Sequence, residues 1–158
     1  MSFSSVADLK LPQAEFKSGE KVIEEGAQGR NIYILQSGSV SVTRSGQEIC
    51  KLDNRGAIFG EVSILTGSAT IAQVTATSDC VFLVIENAVE SLQREPELAF
   101  HISRVLAQRL AQTTGLMIEM RSKLDASQEK SFGSRFYRFM EVTNDFFDRD
   151  ALHPFTKK

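Results

Sequence analysis

From Glu15 to Ile85 the chain carries short apolar runs broken at close intervals by small, turn-forming residues, at 17–20, 25–26, 37–38, 45–46, 54–56 and 66–68. Runs of this length, alternating or continuously apolar, read as β-strands. Residues 31–36 and 39–43 flank Ser37-Gly38, a dipeptide suited to a two-residue turn, so they are expected to pair as a hairpin. On the second strand the period of two points Val40 and Val42 inward, with Ser39, Ser41 and Thr43 facing water. Ser45-Gly46 then turns the chain into 47–52, and 81–85 closes the β region. Short strands at this spacing predict a sandwich or roll. A run of strands followed by a run of helices makes the class α+β, with helices flanking the strands.

The period changes after Ile85. Asn87 with Glu90 three residues on has the form of a capping box, opening a helix through Val89 and Leu92. Pro96 suits the first turn of a second helix, where its missing N–H costs nothing. That helix is expected from about Glu97 to about Leu124, about 28 residues and roughly 42 Å. Leu106, Leu110, Thr113, Met117, Met120 and Leu124 recur at the spacing of a coiled-coil seam, interrupted by Gly115. The stripe can pack on the protein's own roll, but the helix is longer than so small a roll covers. Part of it is therefore expected to meet a second copy, as a homodimer through Leu106, Leu110, Met117, Met120 and Leu124.

Residues 126–131 are polar and linker-like, and Phe132, Phe136, Tyr137, Phe139, Met140, Phe146, Phe147 and Phe155 follow. Aromatics at this density are a liability when exposed, so the tail is expected to dock on the domain or on a protein partner. The reading divides the chain into 9–126, the roll with its long helix, and 127–158, an aromatic-rich extension.

Composition narrows the function. The 158 residues, 42% hydrophobic and 24% charged, suit one globular domain. A chain of this size buries about two-thirds of its unfolded surface and needs no disulfide or metal staple. Cys50 and Cys80 lie in apolar, strand-like surroundings and read as reduced core cysteines. His101 and His153 are too scattered for a metal site, and His101 is placed on a helix face. The net charge of −2 disfavours a nucleic-acid partner, which needs a concentrated basic face. No apolar stretch approaches the roughly 20 residues of a membrane span. The first ten residues lack the pattern of a signal peptide, and the expected location is the cytoplasm.

Phe16-x-x-Gly19, Glu25-Gly26, Ile32-Tyr33-Ile34-Leu35-x-x-Gly38-x-Val40, Gly56-x-x-Phe59-Gly60-Glu61 and Ala72-x-Val74-x-Ala76, taken in order, resemble the cyclic-nucleotide-binding domain family, of the catabolite activator protein and kinase regulatory subunit type. The likeness runs from about Leu9 to Gln112. It implies an antiparallel β-roll (jelly-roll) with flanking helices that holds cyclic AMP or cyclic GMP against a short helix, the phosphate-binding cassette. Phe59, Gly60, Glu61, Val62 and Ser63 would enter that helix, with Ser68, Thr70, Ile71 and Ala72 closing the site. By resemblance Glu61 accepts the ribose 2′-hydroxyl, and the amides of the helix's first turn favour the phosphate. A carboxylate there also stabilises any helix. Gly60, without a Cβ, permits close backbone approach to a ligand.

The cassette departs from the family pattern at its end. The family closes it with Arg-(Ser/Ala/Thr)-Ala-x-Val, whose arginine pairs with the cyclic phosphate; residues 70–74 here read Thr-Ile-Ala-Gln-Val. Thr66, Ser68 and Thr70 offer hydroxyls but no charge, and Arg30 and Arg55 read as exposed turn residues. Loss of one hydrogen bond to a charged group weakens a site by roughly 10- to 150-fold. Two readings follow: a regulatory domain that binds a cyclic nucleotide weakly or in altered fashion, and a nucleotide-blind interaction module using the long helix and Phe-rich tail. An enzyme is not expected, because the roll has neither the histidine cluster of a metal site nor a nucleophile paired with a base.

Overall fold

The computed structural model describes residues 10–124. The chain divides into two compact units, Met1–Val105 and Leu106–Lys158. His153 and the Phe-rich extension, 127–158, lie outside the described residues.

The first unit holds eight strands, β1 (Gln13–Phe16), β2 (Lys21–Ile23), β3 (Ile32–Ser37), β4 (Val40–Arg44), β5 (Gln47–Leu52), β6 (Ile58–Phe59), β7 (Gln73–Ala76) and β8 (Cys80–Ile85). Helix α1 (Glu61–Thr66) lies between β6 and β7, and α2 (Ala88–Arg94) and α3 (Pro96–Ser122) follow β8. The strands form two four-stranded sheets, in the orders β1-β8-β3-β6 and β2-β7-β4-β5, and all their pairings are antiparallel. This is the expected α+β roll with flanking helices and a long last helix.

One cluster joins the sheets: Leu35, Phe59, Cys80 and Phe82 from the first meet Val22, Val40, Val74 and Ala76 from the second. Phe82 is fully buried and takes edge-to-face contacts from Phe16, Tyr33 and Phe59, at 5.6, 6.1 and 6.2 Å between ring centres. Ile32 and Ile34, on the opposite face of β3 by the period of two, are equally buried. A strand covered on both faces needs a continuous apolar run, which accounts for the sequences of β3 and β8. Ala88, Leu92, Leu98 and Ile102 are the buried positions of α2 and α3.

Three local expectations are corrected. The strands flanking Ser37-Gly38 do not pair: β3 bonds to β6 and β8, whereas β4 bonds to β5 and β7. The dipeptide is a corner at which the chain changes sheet. Gly38, at φ +94°, passes so close to Asp79 and Cys80 that a side chain has no room. The true hairpin is β4–β5, where Ser45 and Gly46 both take positive φ, 51° and 76°, the geometry of a primed turn. Secondly, Ser41 is buried, and its hydroxyl donates to Glu48 Oε2 across the hairpin at 2.8 Å. Thirdly, Asn87 does not cap α2 with its side chain. A capping side chain needs an extended backbone, but Asn87 is left-handed at φ 45°. Its N–H instead donates to Asn31 Oδ1 (3.2 Å), and the Ala88 N–H donates to the Arg30 carbonyl (2.8 Å).

Pro96 opens α3 as expected, and the helix runs unbroken through Gly115. Cys50 and Cys80 are both free, Cys80 buried and Cys50 half-buried. At the roll's other end Lys17 pairs with Asp79 at 2.8 Å, and the Ser18 N–H donates to the same carboxylate. The hydrogen bond from Lys17 and that from the Ser18 amide hold the Asp79 carboxyl below the ordinary carboxylate range.

Candidate functional site

The site predicted from sequence, residues 59–72, is one continuous stretch from the end of β6 through α1 to the start of β7. Phe59 is core, its ring against Phe82. Gly60 caps α1 at φ 90°, and a Cβ there would lie 2.9 Å from the Asn31 carbonyl oxygen. Its missing side chain thus serves the protein's own backbone: it allows both the left-handed entry and the close approach of Asn31. Glu61 follows in the first turn and is 3% exposed, one of only four buried polar residues among the described ones, with Ser41, Ser63 and Thr70. A carboxylate in a helix's first turn is favoured by the helix dipole, and an ionised one accepts hydroxyl donors on either oxygen.

Ser63 is buried, and its hydroxyl donates back to the Gly60 carbonyl at 2.9 Å. Val62 and Ile71 are exposed, as is Ser68, whose hydroxyl lies 2.8 Å from that of Thr66. Ala72 is half-buried. The nine candidates therefore divide into an inner set (Phe59, Glu61, Ser63 and Thr70), an outer set (Val62, Ser68 and Ile71), and Gly60 and Ala72 between them.

Thr70 is 7% exposed, and its side chain is turned to the loop after β2. Its hydroxyl donates to the Glu24 carbonyl and accepts from the Ala27 N–H at 3.0 Å, with the Ala27 carbonyl 3.2 Å away. The backbones are joined as well: the Gly26 N–H donates to the Thr70 carbonyl (2.8 Å) and the Thr70 N–H to the Ala27 carbonyl (2.9 Å). A hydroxyl has a single proton, and Thr70 commits it to the loop. Gly29 completes the contact, since a Cβ there would meet Ser63 Oγ at 3.2 Å and Thr70 Cγ2 at 3.5 Å.

Sequence reasoning missed the loop residues 24–29 as part of this site. Glu25-Gly26 carried a turn signal and a share of the family likeness, but nothing local announces a partner 43 residues away. Arg30 and Arg55 are exposed, as expected, and Arg55 donates to Gln36 Oε1 at 3.4 Å. Among the described residues no group of His, Cys, Asp and Glu is arranged to hold a metal ion, and no helix is long and apolar enough to cross a membrane.

Comparison with known proteins agrees with the geometry. A family model described as cyclic nucleotide-binding domain matches residues 13–92, about half of the chain. The potassium/sodium hyperpolarization-activated cyclic nucleotide-gated channel 2 of Mus musculus is 34% identical over 111 residues, covering 69% of this chain and 13% of the channel. The cAMP-dependent protein kinase regulatory subunit of Debaryomyces hansenii is 36% identical over 73 residues, 46% of this chain and 16% of the subunit. The chain thus spans a small part of these relatives' length. Among solved structures, the Thermus thermophilus catabolite activator protein superposes with a TM-score of 0.59 at 26% identity, covering 71% of this chain and 55% of that one. By sequence match and by fold, this chain belongs to the cyclic nucleotide-binding domain family.

Proposed function

We propose that the chain is a non-enzymatic regulatory domain that senses a cyclic nucleotide, cyclic AMP or cyclic GMP, and binds it weakly through residues 59–72. The observation that carries this reading is Glu61, a carboxylate 3% exposed in the first turn of α1, entered from a left-handed glycine. It stands at the head of the cassette, where the family likeness assigns the ribose hydroxyl, and a carboxylate there accepts such a donor through a charge-assisted hydrogen bond. Glu61 is assigned the ribose hydroxyl, and the α1 end of the cassette the phosphate. Weakness follows from Thr70, which brings no positive charge and has committed its proton to the loop.

Calorimetry with the full chain tests the reading. Cyclic AMP or cyclic GMP is expected to bind with a dissociation constant on the order of a millimolar, about 4 kcal/mol, and Glu61→Ala is expected to abolish the heat. A complete absence of binding by either nucleotide, with the fold intact, removes this reading.

A second reading, a nucleotide-blind interaction module, is favoured by the same engagement of Thr70 and by the surface of α3. Leu110, Leu116, Ile118 and Met120 are all more than half exposed, and Leu106, Met117 and Leu124 are half-buried. The helix is assigned to a homodimer through Leu106, Leu110, Met117, Met120 and Leu124, with the Phe-rich extension, 127–158, as a second surface for a protein partner. Sedimentation of the natural chain is expected to give a dimer and that of Leu110→Lys with Met120→Lys a monomer; equal mass for both excludes the seam. The free cysteines, Cys50 and Cys80, suit a reducing compartment such as the cytoplasm.

A further inference from the structure

We propose that Thr70 is a built-in latch that holds the cassette in place before any nucleotide arrives. The inference rests on the reading of residues 59–72 as the cassette, and goes beyond it to how the site is regulated.

The latch consists of four hydrogen bonds at a single residue: two between the backbones of Thr70 and Gly26 or Ala27, and two through the Thr70 hydroxyl to Glu24 and Ala27. They tie the exit of the cassette to a loop 43 residues earlier. Gly29 lets the same loop lie directly on Ser63, Ile64 and Thr70, where any larger residue would crowd Ser63 Oγ. At the other end of α1, Gly60 lies against the Asn31 carbonyl. The cassette is therefore held at both ends by the 24–31 segment.

The side chain at position 70 decides this. A long cationic side chain directed at a ligand cannot also place a hydroxyl between the Glu24 carbonyl and the Ala27 N–H. The position thus holds either a latch or a phosphate clamp.

Hydrogen exchange on the full chain without nucleotide tests the latch. Thr70→Val removes the hydroxyl at nearly constant volume. It is expected to speed exchange at Ala27 and at the amides of α1 by about tenfold or more, with rates in β4 and β8 unchanged. Thr70→Ser keeps the hydroxyl and is expected to retain protection to within roughly threefold. Unchanged protection in Thr70→Val overturns the latch, as does a loss confined to Ala27 that leaves α1 protected. Should Thr70→Val fail to fold, the natural protein decides: Gly26, Ala27 and Thr70 opening with one common free energy supports the latch, and independent opening overturns it. None of these readouts involves nucleotide, so a failed titration removes the sensing function while this result stands.

Discussion

Thr70→Arg is expected to bind cyclic AMP about 10- to 150-fold more tightly than the natural chain, the range that one charge-assisted hydrogen bond supplies. The backbone pairing of residue 70 with Gly26 and Ala27 does not depend on the side chain, so the strand entering β7 stays in register. What is lost is the hydroxyl bridge to Glu24 and Ala27, two neutral hydrogen bonds worth about 1 kcal/mol net each. What is gained is a guanidinium, able to take a phosphate on two N–H donors at once. Because bonds to an ionised group are roughly twice as strong as neutral ones, the exchange favours binding while lowering the stability of the free protein. Paired calorimetric titrations of the two proteins, with a thermal melt of each, measure both effects. An arginine variant that folds and binds no better would mean that the side chain at position 70 does not face the phosphate.

The largest loss of stability is expected from Gly38→Ala. A Cβ at this position would lie 2.4 Å from the Asp79 carbonyl oxygen, 2.6 Å from Cys80 Sγ and 2.8 Å from Cys80 Cα. Two of those atoms are backbone at the head of β8, the central strand that bonds both β1 and β3, and they have no room to withdraw. The left-handed backbone adds roughly 1–2 kcal/mol for any residue with a Cβ, and overpacking typically adds 1–3 kcal/mol more, as a rough range. Together these give about 3 kcal/mol or more, a fall in melting temperature of roughly 10 °C or more for a domain of this size. Gly46→Ala is the control: φ is also positive, at 76°, but a Cβ there meets nothing within 4 Å. It is expected to lose only the backbone part, about 1–2 kcal/mol. Equal losses in the two variants would show that the corner at Gly38 is not sterically limited.

The contrast between these glycines separates what local pattern reveals from what it hides. Ser45-Gly46 and Ser37-Gly38 look alike in sequence, each a small dipeptide between alternating runs. The first closes a hairpin and the second sends the chain from one sheet to the other. Turn chemistry records that the backbone bends, but the strand that receives the next segment is chosen by packing at long range. Asn87 makes the same point: its place before a helix was legible, but its N–H finds Asn31, 56 residues earlier. The Phe-Gly-Glu run at 59–61 was legible because its constraints are local. An apolar anchor, a residue free to take positive φ and a carboxylate in a first turn all lie within three positions.

By itself the sequence determined the strand-rich first half, the turn positions, the long α3 with Pro96 at its head, the likeness to a known family and the missing arginine at position 70. These follow from periodicity, backbone freedom and residue identity, properties that neighbours along the chain decide among themselves. Only the tertiary structure decided how the strands divide between two sheets, that Ser41 is covered, and that Thr70 turns its hydroxyl to the 24–27 loop. Each of those depends on which groups, remote in sequence, come within hydrogen-bonding or van der Waals reach. A short-range pattern carries no information about that distance.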